Sequence, residues 1–424
     1  MDACCPDPLP SWADLRHWAG GAEGEALQHQ RIHGPTNAQA TLRLFGEPEA
    51  QVRVTLYRDH HAWCPYCQKI WLWLEERQIP YRIRKVTMFC YGTKEPWYTQ
   101  RVPSGMLPAL ELDGRLITES DRIVAALEQA FGPLGPWPLD QPQVLQLRQL
   151  ERLLFRAWCQ WLCTPGLDAA AEQRCRQQFQ RYAVAMESAL EASGGPFLLG
   201  AEPASVDLVF VPYLERMNAS LAYYKGFLLR HEHPTIDRWF AALEQRPTYR
   251  GTQSDFHTHV HDLPPQMGGC YACPSAEQHE LAARIDAGLW PVALPDPETS
   301  QAASDGAAAA AVARVVRHAP ALVTRMASAT GSDPVALDAA LRSALMALMA
   351  EAPSVPPVGT AAGLRYLRDR ISVPRDMDLH AARLLRAALE ATAGRDPGTP
   401  TAQGPALTQQ HRRDQDPAPF VGRV

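Results

Sequence analysis

Apolar and polar positions alternate over residues 52–58, with Val52, Val54 and Leu56 on one side and Arg53, Thr55 and Tyr57 on the other. That is the two-residue period of a half-buried strand. After a short break, Ile70, Trp71, Leu72, Trp73 and Leu74 carry the apolar density of a core-facing helix, with Gln68, Lys69, Glu75, Glu76 and Arg77 as polar counterweight. Residues 81–87 alternate again, Tyr81 and Ile83 against Arg82 and Arg84. Strand, helix, strand in succession predicts a right-handed parallel crossover. Residues 109–112 and 116–118 flank Asp113-Gly114, a strong hairpin signal, so two antiparallel strands close the sheet. Glu119-Ser120-Asp121 then opens a helix with Ser120 or a neighbour as N-cap and Ile123, Val124, Leu127 and Phe131 as its apolar stripe.

A proline-rich stretch at 133–142 reads as a linker, and the pattern beyond it is helical. Leu147, Leu150, Leu154, Trp158 and Trp161 make one long amphipathic helix, and Phe179, Tyr182, Ala183, Met186 and Leu190 another. Ile236, Trp239, Phe240 and Leu243 mark a third. Further helices are predicted at 307–318, at 334–350 behind Asp333 as cap, and at 377–391. The expected divisions are a loosely packed leader (1–48) with a short helix at 12–18, a sheet domain (49–132), the linker (133–142), an all-helical domain (143–252), a helical extension (253–394) and a disordered tail rich in Pro, Gly and Gln (395–424).

A chain of 424 residues exceeds a usual single domain, which agrees with that division. The net charge of −5 comes from mixed signs without a basic block, which argues against nucleic acid and anionic membranes as partners. No apolar run approaches the length of a membrane span, and no secretory signal is readable at the N-terminus. Ten irregularly spaced cysteines do not read as a secreted disulfide framework, so a reducing compartment is expected, cytoplasm first and chloroplast as the alternative.

The chemistry concentrates at Trp63-Cys64-Pro65-Tyr66-Cys67, between the first strand and the first helix. Two cysteines at this spacing close a reversible disulfide or bind a metal. A tetrahedral metal needs about four ligands and no second pair lies near in sequence, so redox use is expected and no metal. Pro65 suits the first helical position, which puts Cys64 at the helix N-terminus, where exposed N–H groups favour a thiolate as attacking group. Cys67, one turn on, is placed to resolve a mixed disulfide formed at Cys64. Cys4 and Cys5 read as thiols of a mobile terminus, and Cys159, Cys163 and Cys175 as inert helix-core thiols. His257, His259, His261, Cys270 and Cys273 admit a zinc site or a second redox pair, but their spacing matches no standard finger, and a packing loop is expected.

Cys64-Pro65-Tyr66-Cys67 resembles the dithiol motif of glutaredoxins. With Trp97, Pro103, Gly105, Leu107-Pro108 and Glu119-Ser120, it is similar to the cysteine-type, omega-like glutathione transferases over about residues 50–252. The resemblance implies an α+β/α fold: a thioredoxin-like βαβ-ββα domain, an all-α transferase C-terminal domain, and an additional helical extension. It implies glutathione as co-substrate. Cys64 would be the nucleophile and Cys67 the resolving thiol, with Pro65 and Tyr66 tuning the thiol and shaping the mouth. Leu107 and Pro108, joined by a cis bond, would pair with the cysteinyl part of glutathione. Glu119 and Ser120 would take its γ-glutamyl end, and Lys94 would lie near its glycyl carboxylate. The implied activity is thiol transfer or deglutathionylation, or dehydroascorbate reduction. Conjugation of electrophiles and a non-catalytic scaffold are the alternatives. The expected second substrate is a small-molecule or protein disulfide, and the resemblance admits a homodimer. The family usually has Ser or Thr three residues before a buried Asp as a local cap; here Ala204 stands there, so Ser205 is expected to cap in a shifted geometry and Asp207 to be structural. Residues 365–377 resemble a tail found in some long transferase-like proteins of photosynthetic organisms.

Overall fold

In this computed structural model the described residues are 9–289, 296–350 and 354–417. Cys4 and Cys5 lie outside them, as does the tail beyond 417. The first surprise is the leader. Helices α1 (Trp12–Ala19) and α2 (Gly24–His33) precede a two-residue strand β1 (Leu42–Arg43), which pairs antiparallel with β3 (Tyr81–Val86). With β2 (Val54–Asp59), β4 (Ala109–Leu112) and β5 (Arg115–Thr118) they form a five-stranded sheet in the order β1-β3-β2-β4-β5. Two residues have no period, so β1 is invisible to pattern reading. The β2–β3 pair is parallel and the β4–β5 hairpin turns at Asp113, whose φ is 51°. Helix α3 (Pro65–Glu76) makes the parallel crossover, α4 (Pro96–Arg101) fills the loop, and α5 (Ser120–Phe131) follows the hairpin.

Strand β2 is central, and both of its faces are covered. Val54 and Leu56 face the main core, while Tyr57, 2% exposed, packs with Val86, Tyr98, Val102 and Ala109 on the other side. The half-buried expectation is corrected accordingly. The polar side of α3 is buried too, and each group has found a partner: Lys69 Nζ meets Asp121 at 2.7 Å, Gln68 donates to Glu215 at 3.0 Å, and Arg43 Nε donates to Glu75 at 2.9 Å. Asp121 comes from α5, Arg43 from β1, and Glu215 from the second domain. It comprises α6 (Pro142–Cys163), α7 (Ala169–Ser193), α8 (Ser205–Lys225), the one-turn α9 (Leu229–Glu232), α10 (Pro234–Glu244) and α11 (Pro247–Thr252). In α8 the Asp207 carboxylate accepts from the N–H groups of Leu198 and Ala204 and from Trp239 Nε1, each at 2.9 Å. Asp207 is thus structural. Ser205 does not cap; its hydroxyl accepts from Trp73 Nε1 at 3.1 Å and donates to Glu128 at 2.5 Å, joining the two domains.

The extension begins with α12 (Phe256–Met267) and α13 (Ala276–Ala287), which lie on α8. Helices α14 (Ala307–Thr330), α15 (Pro334–Ala350), α16 (Ala361–Arg370) and α17 (Leu379–Ala393) then build a second hydrophobic core. Leu15 and Ala19 of α1 are buried in that core, and Trp12 Nε1 donates to Asp338 at 2.8 Å. The leader therefore clasps the extension rather than packing loosely on the sheet. Residues 365–377 stitch the two cores together. Arg365 and Arg368 share Glu390, Val373 N donates to Thr258 Oγ1 at 3.1 Å, and the Val373–Pro374 bond is cis.

The tail expected to be disordered is, over 395–417, largely exposed but anchored at two buried points. Asp396 receives N–H groups of Gly359, Thr360 and Ala361; Arg412, 2% exposed, donates to Asp262 at 2.5 Å; and its own N–H reaches Cys90 O at 2.7 Å. Composition reads the want of an apolar stripe as disorder. Buried ion pairs and backbone hydrogen bonds hold this segment instead. Among the described residues no helix is long and apolar enough to cross a membrane.

Candidate functional site

Strand β2 ends at Asp59, the chain turns through Ala62 with φ 56°, and Trp63 leads into Cys64, the N-cap of α3. Pro65 occupies the first turn, where its missing N–H removes no helical bond. Asp59 is fully buried, and its Oδ2 accepts from Trp63 N at 2.7 Å, which fixes the turn that aims the two thiols. Donor atoms of Asp59, Cys64 and Cys67 all lie within 4.8 Å of one another, and both cysteines are free thiols. Burial, and then the neighbouring Cys64 thiol, push the Cys67 thiol well above its ordinary range.

The motif is clamped from behind by elements far away in sequence. The Arg216 guanidinium of α8 lies 4.6 Å over the Trp63 ring and donates to the Trp63 carbonyl. Trp63 Nε1 donates to His259 Nδ1 of α12 at 3.1 Å. Burial first, and the nearby Arg216 second, hold His259 well below its usual range, so its 3.5 Å approach to Glu215 is made by a neutral imidazole. Pattern reading missed Asp59, Arg216, Glu215 and His259. A buried charge inside a helix has no local signature beyond its conflict with the apolar face, and Arg216 and Glu215 show that conflict.

In front of α3 lies a cleft of ≈ 980 Å³ between the sheet domain and α6. Of the residues expected in the site, Tyr66, Leu107, Pro108, Glu119 and Ser120 line it. The Leu107–Pro108 bond is cis. Glu119, with φ 66°, is the N-cap of α5 without a side-chain capping bond, and Ser120 is the first helical residue, so the expectation of Ser120 as cap shifts by one. Cys64, Pro65 and Cys67 are buried at the start of α3 and are not among the cleft's lining residues, whereas their neighbour Tyr66, 36% exposed, is. Lys94 is not on the wall. Its ammonium donates to Thr87 O at 3.0 Å, and burial lowers its pKa. Lys69, Arg148 and Arg152, contributed by α3 and α6, give the cleft a basic side, with Asp121 bridging Lys69 and Arg148 at 2.7 Å each.

Glu215 offers a direct test of this buried network. Burial raises its carboxyl to about 7 against the hydrogen bond from Gln68 and the charge of Arg216. Unfolded, a glutamate titrates near 4.3. The native state thus holds more protons than the unfolded chain between the two values, and stability falls as pH rises through that window. For Glu215→Gln we expect this fall to flatten by roughly 3 kcal/mol between pH 4.5 and 7, read from urea unfolding at a series of pH values. An unchanged slope would show that Glu215 is already ionised in the fold.

The 257–273 stretch, expected as a packing loop, is helical over its first part as α12, and its three histidines and two cysteines do not form one group. His257 and His261 pack ring to ring at 4.6 Å, His261 also approaches Asp286 at 2.9 Å, His259 lies against Trp63, and among the described residues the sole tight group of three metal-type donors is Asp59, Cys64 and Cys67.

Residues 63–130 match the family model for the glutathione S-transferase N-terminal domain, and residues 169–242 that for its C-terminal domain. These two segments carry the N- and C-terminal domain signatures of glutathione S-transferases. An Arabidopsis thaliana protein named glutathione S-transferase DHAR2 is 26% identical over 192 residues, 45% of this chain and 84% of the relative. The rice protein named probable glutathione S-transferase DHAR1, cytosolic, is 25% identical over 193 residues, again 45% of this chain and 84% of the relative. Among solved structures, Chlamydomonas reinhardtii dehydroascorbate reductase is 19% identical with a TM-score of 0.40, covering 48% of this chain and 93% of its own. Glutathione transferase Omega 3C from Trametes versicolor is 25% identical with a TM-score of 0.41, over 48% and 90%. The family models leave the second core, built from α1 and α14 to α17, unmatched.

Proposed function

We propose that this protein is a glutathione-dependent thiol-disulfide oxidoreductase. The observation that carries the reading is the Cys64–Cys67 pair of free thiols, within 4.8 Å of each other at the start of α3 and next to a cleft walled by cis-Pro108 and Ser120. Transferases that activate glutathione with a hydroxyl leave its sulfur free to attack electrophiles, whereas a cysteine in that place bonds to it as a mixed disulfide. In the proposed cycle Cys64 attacks the glutathione sulfur of a glutathionylated substrate, the S–S bond breaks, and the substrate thiolate leaves and takes up a proton. Cys67 or a second glutathione then attacks the adduct, releasing glutathione or glutathione disulfide respectively. When Cys67 resolves, two further glutathione molecules return the pair to the dithiol. Dehydroascorbate reduction draws the same two electrons from the dithiol or from two glutathiones, and the names of the plant relatives support including it.

Glutathione would bind with its backbone along Leu107-Pro108, its γ-glutamyl end toward Glu119 and Ser120, and its glycyl carboxylate toward Lys94. The basic side of the cleft suits a co-substrate with two carboxylates. The relatives carry both cytosolic and chloroplastic names, and either compartment supplies the reducing conditions this chemistry needs.

The test is a side-by-side assay of dehydroascorbate, a glutathione mixed disulfide and an aromatic electrophile. Activity on the first two is expected, with Cys67→Ser losing protein-disulfide reduction and retaining deglutathionylation. Turnover mainly of the aromatic electrophile would establish conjugation instead.

A further inference from the structure

Half of the ten cysteines gather at a second place, where the extension first crosses the helical domain. Cys159 and Cys163 lie one turn apart at the end of α6, Cys175 is on α7, and Cys270 and Cys273 belong to the segment between α12 and α13. That segment is held by backbone pairing to two helix ends: Tyr271 N donates to Leu162 O at 2.9 Å and Cys273 N to Tyr224 O at 2.8 Å. The first of these bonds lays residue 270 beside residue 163, which brings their thiols together across the boundary. Cys273 is directed elsewhere, to Glu172, so the close pair is not the one that Cys270 and Cys273 suggest by spacing. A buried ion pair, Lys225 to Glu172 at 2.6 Å, underlies the cluster. Cys163 and Cys270 are both half-buried, within reach of a solvent-borne reagent.

The two thiols are unequal. The neighbouring Cys270 thiol and then the Lys225 charge hold Cys163 below the usual thiol range, whereas Cys270, beside Cys163 and by burial, is pushed up, and burial pushes Cys159 up to about 12. A lowered thiol attacks first, and its neighbour resolves.

We propose that Cys163 and Cys270 are a second redox site, a dithiol that a glutathione disulfide converts into an intramolecular disulfide joining the extension to α6. Cys163 gives up its proton and its sulfur attacks one sulfur of the glutathione disulfide; the S–S bond breaks and one glutathione leaves, taking up a proton. Cys270 then gives up its proton and attacks the Cys163 sulfur, releasing the second glutathione, which is protonated in turn. The two protein thiols lose two electrons, and one glutathione disulfide becomes two glutathione molecules. The step does not involve Cys64 and stands apart from the cycle proposed above. Its product covalently closes the boundary between the transferase domains and the extension.

The experiment treats the full-length Cys64→Ser/Cys67→Ser variant with glutathione disulfide, blocks remaining thiols by alkylation, and maps the peptides by mass spectrometry. The expected product is a species linking the Cys163 and Cys270 peptides, lighter than their sum by two hydrogens and separated by a reductant. In a further Cys270→Ser variant, Cys163 should be recovered as its glutathione mixed disulfide. Where the double variant fails to fold, the wild-type chain serves, because its Cys64–Cys67 peptide has a different mass. Recovery of Cys163 and Cys270 both alkylated, or of Cys163 joined to Cys159 or Cys270 joined to Cys273, overturns the proposal.

Discussion

Cys64→Ser is expected to lower kcat/KM for glutathione-dependent reduction of a mixed disulfide on the order of 10³-fold or more, since a hydroxyl without an activating base does not replace a thiolate. The fold should survive. Cys64 is the N-cap of α3, and serine is among the best residues at that position, so the substitution removes the sulfur while favouring the helix. The comparison is of initial rates against thermal unfolding in one preparation: a collapse of rate with an unchanged or higher midpoint assigns the loss to chemistry. Disulfide reduction that continues undiminished in the variant would refute the proposed enzyme and leave the scaffold reading.

The second large effect concerns stability. Arg386 of α17 and Asp255, the N-cap of α12, form an ion pair with both side chains at most 2% exposed, and Arg386 also donates to Ile371 O at 2.6 Å. Replacing the pair by well-packed apolar residues can be neutral, but removing one partner strands a buried charge and costs about 3–5 kcal/mol. Arg386→Met is therefore expected to lose that much in urea unfolding. Arg53→Ala, which breaks the exposed Arg53–Asp113 pair, should leave the unfolding midpoint almost unchanged. A small loss for Arg386→Met would mean that the two cores are not joined through this contact. The position matters because Arg386 connects the second core to α12, and α12 carries His259 to the back of Trp63.

Much of the sheet domain was legible because its signals are local. The Asp113-Gly114 hairpin, the alternation of Tyr81 and Ile83, and the apolar density of 70–74 each follow from a few neighbouring residues. Leu107-Pro108 and Ser120 were readable as site residues through a resemblance that spans the same short distances. Other features failed for want of a local signal. Strand β1 is too short to show a period, and Lys69, Gln68 and Glu75 look solvent-facing until Asp121, Glu215 and Arg43 cover them. The tail lacks an apolar stripe, yet Arg412 is buried on Asp262. The 257–273 stretch, read as a packing loop because of Pro264, Pro265, Gly268 and Gly269, begins instead as helix α12 with both prolines inside it; there His257 and His261 pack ring to ring, His259 meets Trp63, and residue 270 is laid beside residue 163.

By itself, the sequence determined the strand and helix order, the placement of Cys64 and Cys67 at a helix start, and the presence of helices well beyond the family domains. Those properties rest on periodicity, capping and turn chemistry, which act over a few residues. Tertiary structure alone decided that both faces of β2 are covered and that Arg216 and His259 hold Trp63. It also decided that the leader and tail belong to the folded body, and that a second thiol pair forms between α6 and the extension. Those depend on desolvation and on pairing between residues far apart in the chain, where the cost of a buried charge or the closeness of two sulfurs is set by what packs against them.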